Sequence, residues 1–402
     1  MNHPSLVFIA IAVSVTMSAC GKSDVPNTSS SVGAASAKAT VAPKPTPAPF
    51  RITDVHVDRD RFDPTKGESV AIQYAIDEAA EITLHIYDGR DALIYRGETE
   101  KVAAGEHKLS WDGTDALGED VPPEAYSYVI VATNDKGTVT HDLTDLTGSE
   151  ALIVADPQWD AATGKLRYRL DRPARVNVRF GLMDGPYMRT VIDWVPRDAG
   201  DQIEAWDGWD TSKVLSLAKH PMLSPTVRAY TLPNNTIFVG PNPSEVHFVA
   251  MPALGSRARQ TKPEKTRMYF HADQPLETRG DIPVNLSLFG GGERDAEGRW
   301  VVSGIVPIRL DVPREVRARV LERRFEPAFY TDGIFVFETE VGVLPITWQW
   351  DSTVVNPGEH YITANIRGYE GNYGAATLKV WVKPAARPKA ALASTIAPKV
   401  AP

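Results

Sequence analysis

The stretch Tyr74-Ala75-Ile76-Asp77-Glu78-Ala79-Ala80-Glu81-Ile82-Thr83-Leu84-His85-Ile86-Tyr87 decides the fold, together with Trp111-Asp112-Gly113 downstream. It has a counterpart in Tyr168-Arg169-Leu170-Asp171-Arg172-Pro173-Ala174-Arg175-Val176-Asn177-Val178-Arg179-Phe180, followed by Trp206-Asp207-Gly208. Both read Tyr-x-apolar-Asp, a turn, Ala, then an alternating strand. The tryptophan lies 37 residues after Tyr74 and 38 after Tyr168. Two matched anchors at nearly equal spacing mark an internal repeat. A third, looser copy begins at Ile308-Arg309-Leu310-Asp311 and reads on as a strand through Val316-Arg317-Ala318-Arg319-Val320. Its Trp350-Asp351-Ser352 comes 42 residues after Ile308.

In each copy the alternation puts apolar side chains on one face. Ile82, Leu84 and Ile86 face one way; Thr83, His85 and Tyr87 face the other, with His85 toward solvent. Such a strand needs a second sheet across a core about 10 Å thick. Trp111, Trp206 and Trp350, with Tyr74 and Tyr168, are the expected core residues. A copy of about 100 residues has the size of an immunoglobulin-like sandwich. The predicted fold class is therefore all-β: tandem immunoglobulin-like β-sandwich domains after a signal peptide and linker. The predicted ranges are 51–148, 149–252 and 268–383, the last with extra N-terminal strands.

Composition narrows the function classes. The 402 residues carry 51 acids against 43 Lys and Arg, a net charge of −8. That balance argues against a nucleic-acid partner, which requires a basic face. The single cysteine, Cys20, cannot make an internal disulfide, a thiolate zinc site or an iron–sulfur cluster. Residues 1–20 read as a signal peptide, with an apolar run from Leu6 to Val15 and Met17-Ser18-Ala19-Cys20-Gly21 at its end. Residues 21–50 form a Ser/Ala/Pro-rich linker and 384–402 a tail of similar composition, both expected to be disordered.

Three resemblances follow from these residues. Met17 to Cys20 resembles the lipobox of bacterial lipoproteins, which implies cleavage before Cys20 and a diacylglycerol on its thiol. Gly21 in place of Asp implies the outer membrane. A plain secretory signal ending in an unrelated cysteine is the alternative. The first copy is similar to the immunoglobulin-like domain of the flagellar hook-capping (FlgD-type) proteins. The resemblance rests on Phe62-Asp63-Pro64, the Tyr74–Tyr87 block, Ala104-Gly105-Glu106-His107, Trp111 to Gly118 and Tyr126-Ser127-Tyr128. The second copy shares Ala199-Gly200-Asp201 and Trp206-Asp207-Gly208, with Trp209 intruding and an insertion near Leu215 to Ser224. The third resembles a common bacterial surface Ig-like module in Phe329-Tyr330-Thr331-Asp332-Gly333, Trp350-Asp351-Ser352, Pro357-Gly358-Glu359-His360 and Ile362-Thr363-Ala364-Asn365. What these resemblances imply is a spacer, scaffold or adhesive part.

No segment carries a catalytic signature, so no catalytic residue, metal ligand or cofactor is expected. Asp112 to Asp120 is acidic around glycine, but its order is that of a hairpin connection and not of an EF-hand loop. The histidines include no HExxH; His107 and His360 read as turn residues. Gly290-Gly291-Gly292 has no following Lys and reads as a loop. Arg314, Arg317, Arg319, Arg323 and Arg324 form a basic stripe interleaved with Glu315, Glu322 and Glu326. Tyr369 to Gly374, with Trp348 and Trp381, offers aromatics suited to sugar rings or a protein interface. The candidate binding residues are Trp348, Tyr369, Tyr373, Arg317 and Arg319. The expectation is a non-enzymatic, lipid-anchored cell-envelope protein. Its partners would be the membrane, through the lipid, and another envelope protein. A carbohydrate-binding accessory protein that contacts glycan is one alternative. An enzyme with an inter-domain site around 253–300 is the other.

Overall fold

The structure is a computed structural model and describes residues 50–89, 91–144, 146–241, 281–322, 324–368 and 372–384. The segment read from sequence as a signal peptide, with Cys20, the expected linker up to residue 49, the expected tail beyond 384 and Tyr369 lie outside the described residues, as do 242–280.

The first sandwich begins with β1 (Ile52–Val57), β2 (Arg61–Phe62), β3 (Val70–Ile76), β4 (Ala80–Tyr87) and β5 (Leu93–Arg96). It continues with β6 (Glu100–Val102), β7 (Gly105–Trp111), β8 (Glu124–Asn134) and β9 (Gly137–His141). Strands β1, β3 and β7 form one sheet; β8 and β4 lie at the centre of the other. The second sandwich holds β10 (Ala151–Leu152), β11 (Gln158–Asp160), β12 (Lys165–Leu170), β13 (Ala174–Leu182), β14 (Tyr187–Arg197), β15 (Gly200–Ala205) and β16 (Leu223–Thr231). Its sheets run β10-β16-β13-β14 and β11-β12-β15.

The chain then returns. Strand β17 (Thr236–Val239) pairs antiparallel with β8 and parallel with β2, and so completes the larger sheet of the first sandwich. Residues 236–239 fall in the range assigned from sequence to the second domain, yet Ile237 and Val239 pack into the first core. The second sandwich is thus inserted between two parts of the first.

The third sandwich begins with β18 (Asn285–Leu288), β19 (Glu293–Arg294), β20 (Trp300–Val302), β21 (Ile305–Asp311) and the helix α1 (Arg314–Glu322). After them come β22 (Phe325–Thr331), β23 (Ile334–Glu338), β24 (Ile346–Asp351), β25 (Gly358–Gly368) and β26 (Tyr373–Val382). Its sheets run β18-β21-β24 and β19-β20-β26-β25-β22-β23.

The alternation works as the sequence implies. Ile82, Leu84 and Ile86 of β4 and Val70, Ile72, Tyr74 and Ile76 of β3 are buried in one core around Trp111. Phe62 and Tyr126 each meet that indole edge-on at 5.5 Å. Trp206 stacks on Phe180 at 4.0 Å in the second core, where Tyr168 is buried too. Trp350 is buried in the third.

The Trp-Asp pair has a local reason. The Asp112 carboxylate accepts the Thr114 N–H at 3.1 Å and folds the chain into a tight turn. The turn brings the Thr114 carbonyl to 2.9 Å from the Trp111 indole nitrogen, so the buried N–H has its acceptor. In the second copy Asp207 accepts from Trp209 N at 3.1 Å, and Trp206 donates to Trp209 O at 3.0 Å. Asp351 holds Thr353 N at 2.9 Å in the third.

A second device recurs at strand starts. Gly105, Gly200 and Gly358 take positive φ of 135, 102 and 143°. Two residues on, a side-chain nitrogen reaches the carbonyl four residues back: His107 to Ala103 at 2.7 Å, Gln202 to Asp198 at 3.0 Å, His360 to Asn356 at 2.6 Å. His107 and His360 are therefore strand residues that clamp the entering corner, where the sequence suggested turns.

Two further expectations are corrected. His85 is 4% exposed, and Thr83 and Tyr87 are buried with it. Strand β4 is central, hydrogen-bonded to β8 on one edge and to β5 and β6 on the other, so its outward side chains sit among those of three neighbours. The Thr83 hydroxyl, for example, meets that of Thr99 at 2.9 Å. The run Val316 to Val320, read as a strand, lies in α1, the one α-helix among the described residues. Arg, Glu, Ala and Leu are strong helix formers, and the two valines stand four apart, so both reach the core from one helical face. The strand expected there comes later, as β22.

Candidate binding site at the joints between sandwiches

The second sandwich buries polar residues where a lone sandwich would meet water. On β13, Val176, Val178 and Phe180 face the core, so Arg175, Asn177 and Arg179 lie on the outward face. All three are buried. In register beside them on β16 stand Tyr230, Arg228 and Thr226.

The first joint explains Arg175. Its guanidinium donates to the Glu124 carboxylate of the first sandwich at 2.8 Å, with both side chains 0% exposed. Arg61 of the first sandwich donates to Asp198 of the second at 2.8 Å and covers the Phe238 ring at 4.7 Å. Asn235, fully buried, donates to the Tyr128 carbonyl at 2.8 Å and fixes the returning chain.

The second joint explains Arg179. Its guanidinium lies 4.0 Å over the ring of Tyr373, from the third sandwich, and 5.6 Å from that of Tyr187. The two tyrosine rings are 5.2 Å apart. The Asn365 amide donates to the Tyr187 carbonyl at 2.7 Å and accepts its N–H at 2.9 Å. Thr377 N–H donates to the Ser212 hydroxyl at 2.8 Å. Asp281 accepts from the Tyr187 hydroxyl at 3.0 Å and from the Thr190 hydroxyl. Burial pushes the Asp281 carboxyl above its ordinary range, helped by the like charge of Asp193 and opposed by Thr190 and Arg179. Burial, with Asp281 beside it, also holds the Tyr187 hydroxyl well above the phenol range and keeps it protonated as a donor.

Next to this contact a cavity of about 230 Å³ opens, lined by Arg179, Arg228, Tyr187, Tyr373, Ser224 and Thr226 among others. The Arg228 guanidinium rests 5.5 Å over Trp194 and donates to the Tyr230 hydroxyl at 3.1 Å. The cavity thus brings two guanidiniums together with tyrosine rings and hydroxyls.

Among the described residues proposed from sequence, Tyr373 alone lines this cavity. Trp348 packs half-buried on Phe329 and Trp350 at 5.1 and 6.5 Å. Arg317 donates to both Asp311 oxygens at 2.7 Å, and Arg319 is exposed on α1. Trp111, Trp206, Trp350, Tyr74 and Tyr168 all lie in the cores. The Tyr168 hydroxyl donates to Glu204 at 2.9 Å, itself held by Arg197 at 2.8 Å. Sequence reasoning missed Arg175, Arg179, Arg228, Tyr187 and Glu124. The available signal was Arg-x-Asn-x-Arg on one strand face, which by itself reads as a solvated surface.

Residues 60–136 match the FlgD Ig-like domain family. No curated protein matches the chain. Among solved structures, the chain is similar to FlgD from P. aeruginosa at 22% identity over 23% of this chain and 68% of that one, with a TM-score of 0.19. It is also similar to the fibronectin(III)-like modules of Clostridium thermocellum CbhA, at 10% identity over 82% and 94% of the two chains and a TM-score of 0.19. A tetra-tandem repeat from the extending region of a large adhesion protein gives 12% identity over 83% and 74%, with a TM-score of 0.18.

Proposed function

We propose that this protein is a non-enzymatic binding scaffold of the bacterial cell envelope. A lipid on Cys20 holds it at the outer membrane, and its Ig-like sandwiches present surfaces to another envelope protein. The observation that carries the scaffold reading is the construction of the joints. The first has two chain crossings and a dry Arg175–Glu124 ion pair; the second has the Asn365–Tyr187 bond pair and the Tyr187–Tyr373 contact. Tandem modules on single linkers move independently by default. Here each contact constrains one sandwich against the next, as a spacer or platform requires. The Ig-like domain at 60–136 supports a binding or scaffold role of a general kind. The anchor rests on the Met17-Ser18-Ala19-Cys20 motif.

The test expresses the full chain in a Gram-negative host with labelled palmitate. Label on the wild type, sedimentation with the outer membrane, and loss of both in Cys20→Ala are expected. An unlabelled wild type, or membrane retention of Cys20→Ala, would overturn the anchor. Cross-linking of the full chain in intact cells should capture one envelope protein in fixed ratio; only sub-stoichiometric, variable products would count against the scaffold.

A further inference from the structure

We infer that the open edge of β23 (Ile334–Glu338) is a docking site for an extended, alternating apolar segment of a partner protein that carries Lys or Arg and adds to the sheet as a further strand. The inference names a surface and a partner chemistry for the binding role proposed above and rests on that reading.

The backbone is the first argument. Strand β23 ends the sheet β19-β20-β26-β25-β22-β23 and pairs with β22 alone among the described residues. Its far side therefore offers main-chain N–H and C=O groups to an incoming strand. The opposite end of this sheet is the two-residue β19, too short to template one. Strand β23 is also held in place. Phe337 packs on Phe329 in the core at 5.9 Å, and Phe335 meets Tyr330 edge-on at 5.8 Å. Asp332, in the turn before it, accepts the Tyr361 N–H at 2.9 Å, and Thr339, just after it, donates to the Pro327 carbonyl at 3.1 Å. A strand fixed at both ends loses little freedom when a partner joins it.

The exposed side chains are the second. Ile334, Phe335 and Val336 are 71, 47 and 47% exposed. Edges are ordinarily guarded by Lys, Pro or a bulge. A bulge is present at Val336, since Phe335 opposes Tyr330 while Phe337 opposes Phe329. No Lys, Arg or Pro stands between Asp332 and Leu344. The tip of the β13–β14 hairpin abuts the start of β23: a Cβ on Gly185 would lie 2.8 Å from the Gly333 carbonyl, and that tip carries exposed Met183.

Charge selects the occupant. Glu338 is exposed at one end of β23, and Asp184 is exposed in the hairpin tip at the other. A second copy of the chain would set acids among acids, with no base between Asp332 and Leu344 to separate them. A foreign strand with Lys or Arg opposite Glu338 meets the opposite charge.

The test uses the full chain in detergent and fluorescence anisotropy of labelled peptides. The probes are Lys-Thr-Val-Thr-Ile-Thr-Val-Thr-Lys, the same peptide with Glu at both ends, and the Lys peptide with its three central amides N-methylated. The Lys peptide should saturate one site per chain, at least tenfold tighter than the other two, and weaken as salt rises from about 50 to 500 mM. It should slow amide exchange in Ile334–Glu338. Phe335→Lys and Val336→Lys, both at exposed positions, should each lose at least tenfold with unchanged far-ultraviolet circular dichroism. Glu338→Lys should reverse the preference toward the Glu peptide. Absence of saturable binding, equal affinity for the Glu or the N-methylated peptide, or slowed exchange only outside β23 would each overturn the inference. So would a dimer of the full chain that Phe335→Lys dissolves, which would assign the edge to a second copy. Cross-linking to an envelope protein is read separately. Peptide failure with capture intact sinks this edge alone, and failed capture with peptide binding intact counts against the scaffold reading alone.

Discussion

Arg175 and Glu124 meet at 2.8 Å with neither side chain reaching solvent, although they belong to different sandwiches. Two charges taken out of water this way cost several kcal/mol each, offset only by close pairing and further hydrogen bonds. Glu124 also accepts its neighbour's N–H, Ala125, at 2.8 Å. The pair therefore works as a lock on orientation: separating the sandwiches would strand two charges.

Arg175→Ala should cost about 3–5 kcal/mol, because it removes the close counter-charge of a buried carboxylate. Arg175→Met combined with Glu124→Leu should recover most of that loss. Urea unfolding of the two variants checks this; a double variant as unstable as the single one would show that the charge pair is not the source.

The returning strand gives a long-range prediction. Ile237→Ala should destabilise the first sandwich by about 2–5 kcal/mol, although the residue follows the second in sequence. Amide exchange in Glu124–Asn134 should quicken while Lys165–Leu170 stays protected. Faster exchange confined to the second sandwich would contradict the pairing.

Gly113 is the tightest point of the Trp-Asp turn. It has φ of +85°, and a Cβ would lie 2.4 Å from Pro64 Cγ. Gly113→Ala should cost about 1–3 kcal/mol from backbone strain, with the overlap adding to it. Gly118→Ala, with similar φ and nothing within 4 Å, is the control and should cost less. Thermal melts of the two variants separate strain from overlap.

His360 makes stability depend on pH. Burial lowers its pKa, but the Asp332 carboxylate at 2.6 Å and the Asn356 carbonyl at 2.6 Å raise it further, and the net shift is upward. Both ring nitrogens face acceptors, so the doubly protonated ring fits best. A raised folded-state value means the contribution is complete below the ordinary histidine value of about 6.5 and fades as pH rises through the higher folded value. The stability gap between wild type and His360→Gln should therefore shrink from pH 5.5 to pH 8.5. A gap that is constant, or that widens with pH, would refute this.

The limits of sequence reading appear in particular residues. Trp111, Trp206 and Trp350 were legible as core because a large indole beside an Asp-led turn needs both burial and a nearby carbonyl. Tyr373 was legible as an available aromatic, but its place beside Arg179 was not, since the two lie nearly two hundred residues apart in the chain. Arg175 and Arg179 gave the signature of a wetted face. Their burial comes from neighbouring sandwiches, which leave no periodicity on β13 itself.

Local alternation and spacing by themselves determined that the chain builds sandwiches around indoles, because side-chain direction along a strand is fixed by its pleat. Tertiary structure alone decided the rest. It sent Thr236–Val239 back to the first sheet, turned Arg314–Glu322 into a helix, and closed the outward face of β13 against its neighbours. Those outcomes depend on which surfaces meet, and a pairing between distant surfaces lowers free energy without marking either segment in advance.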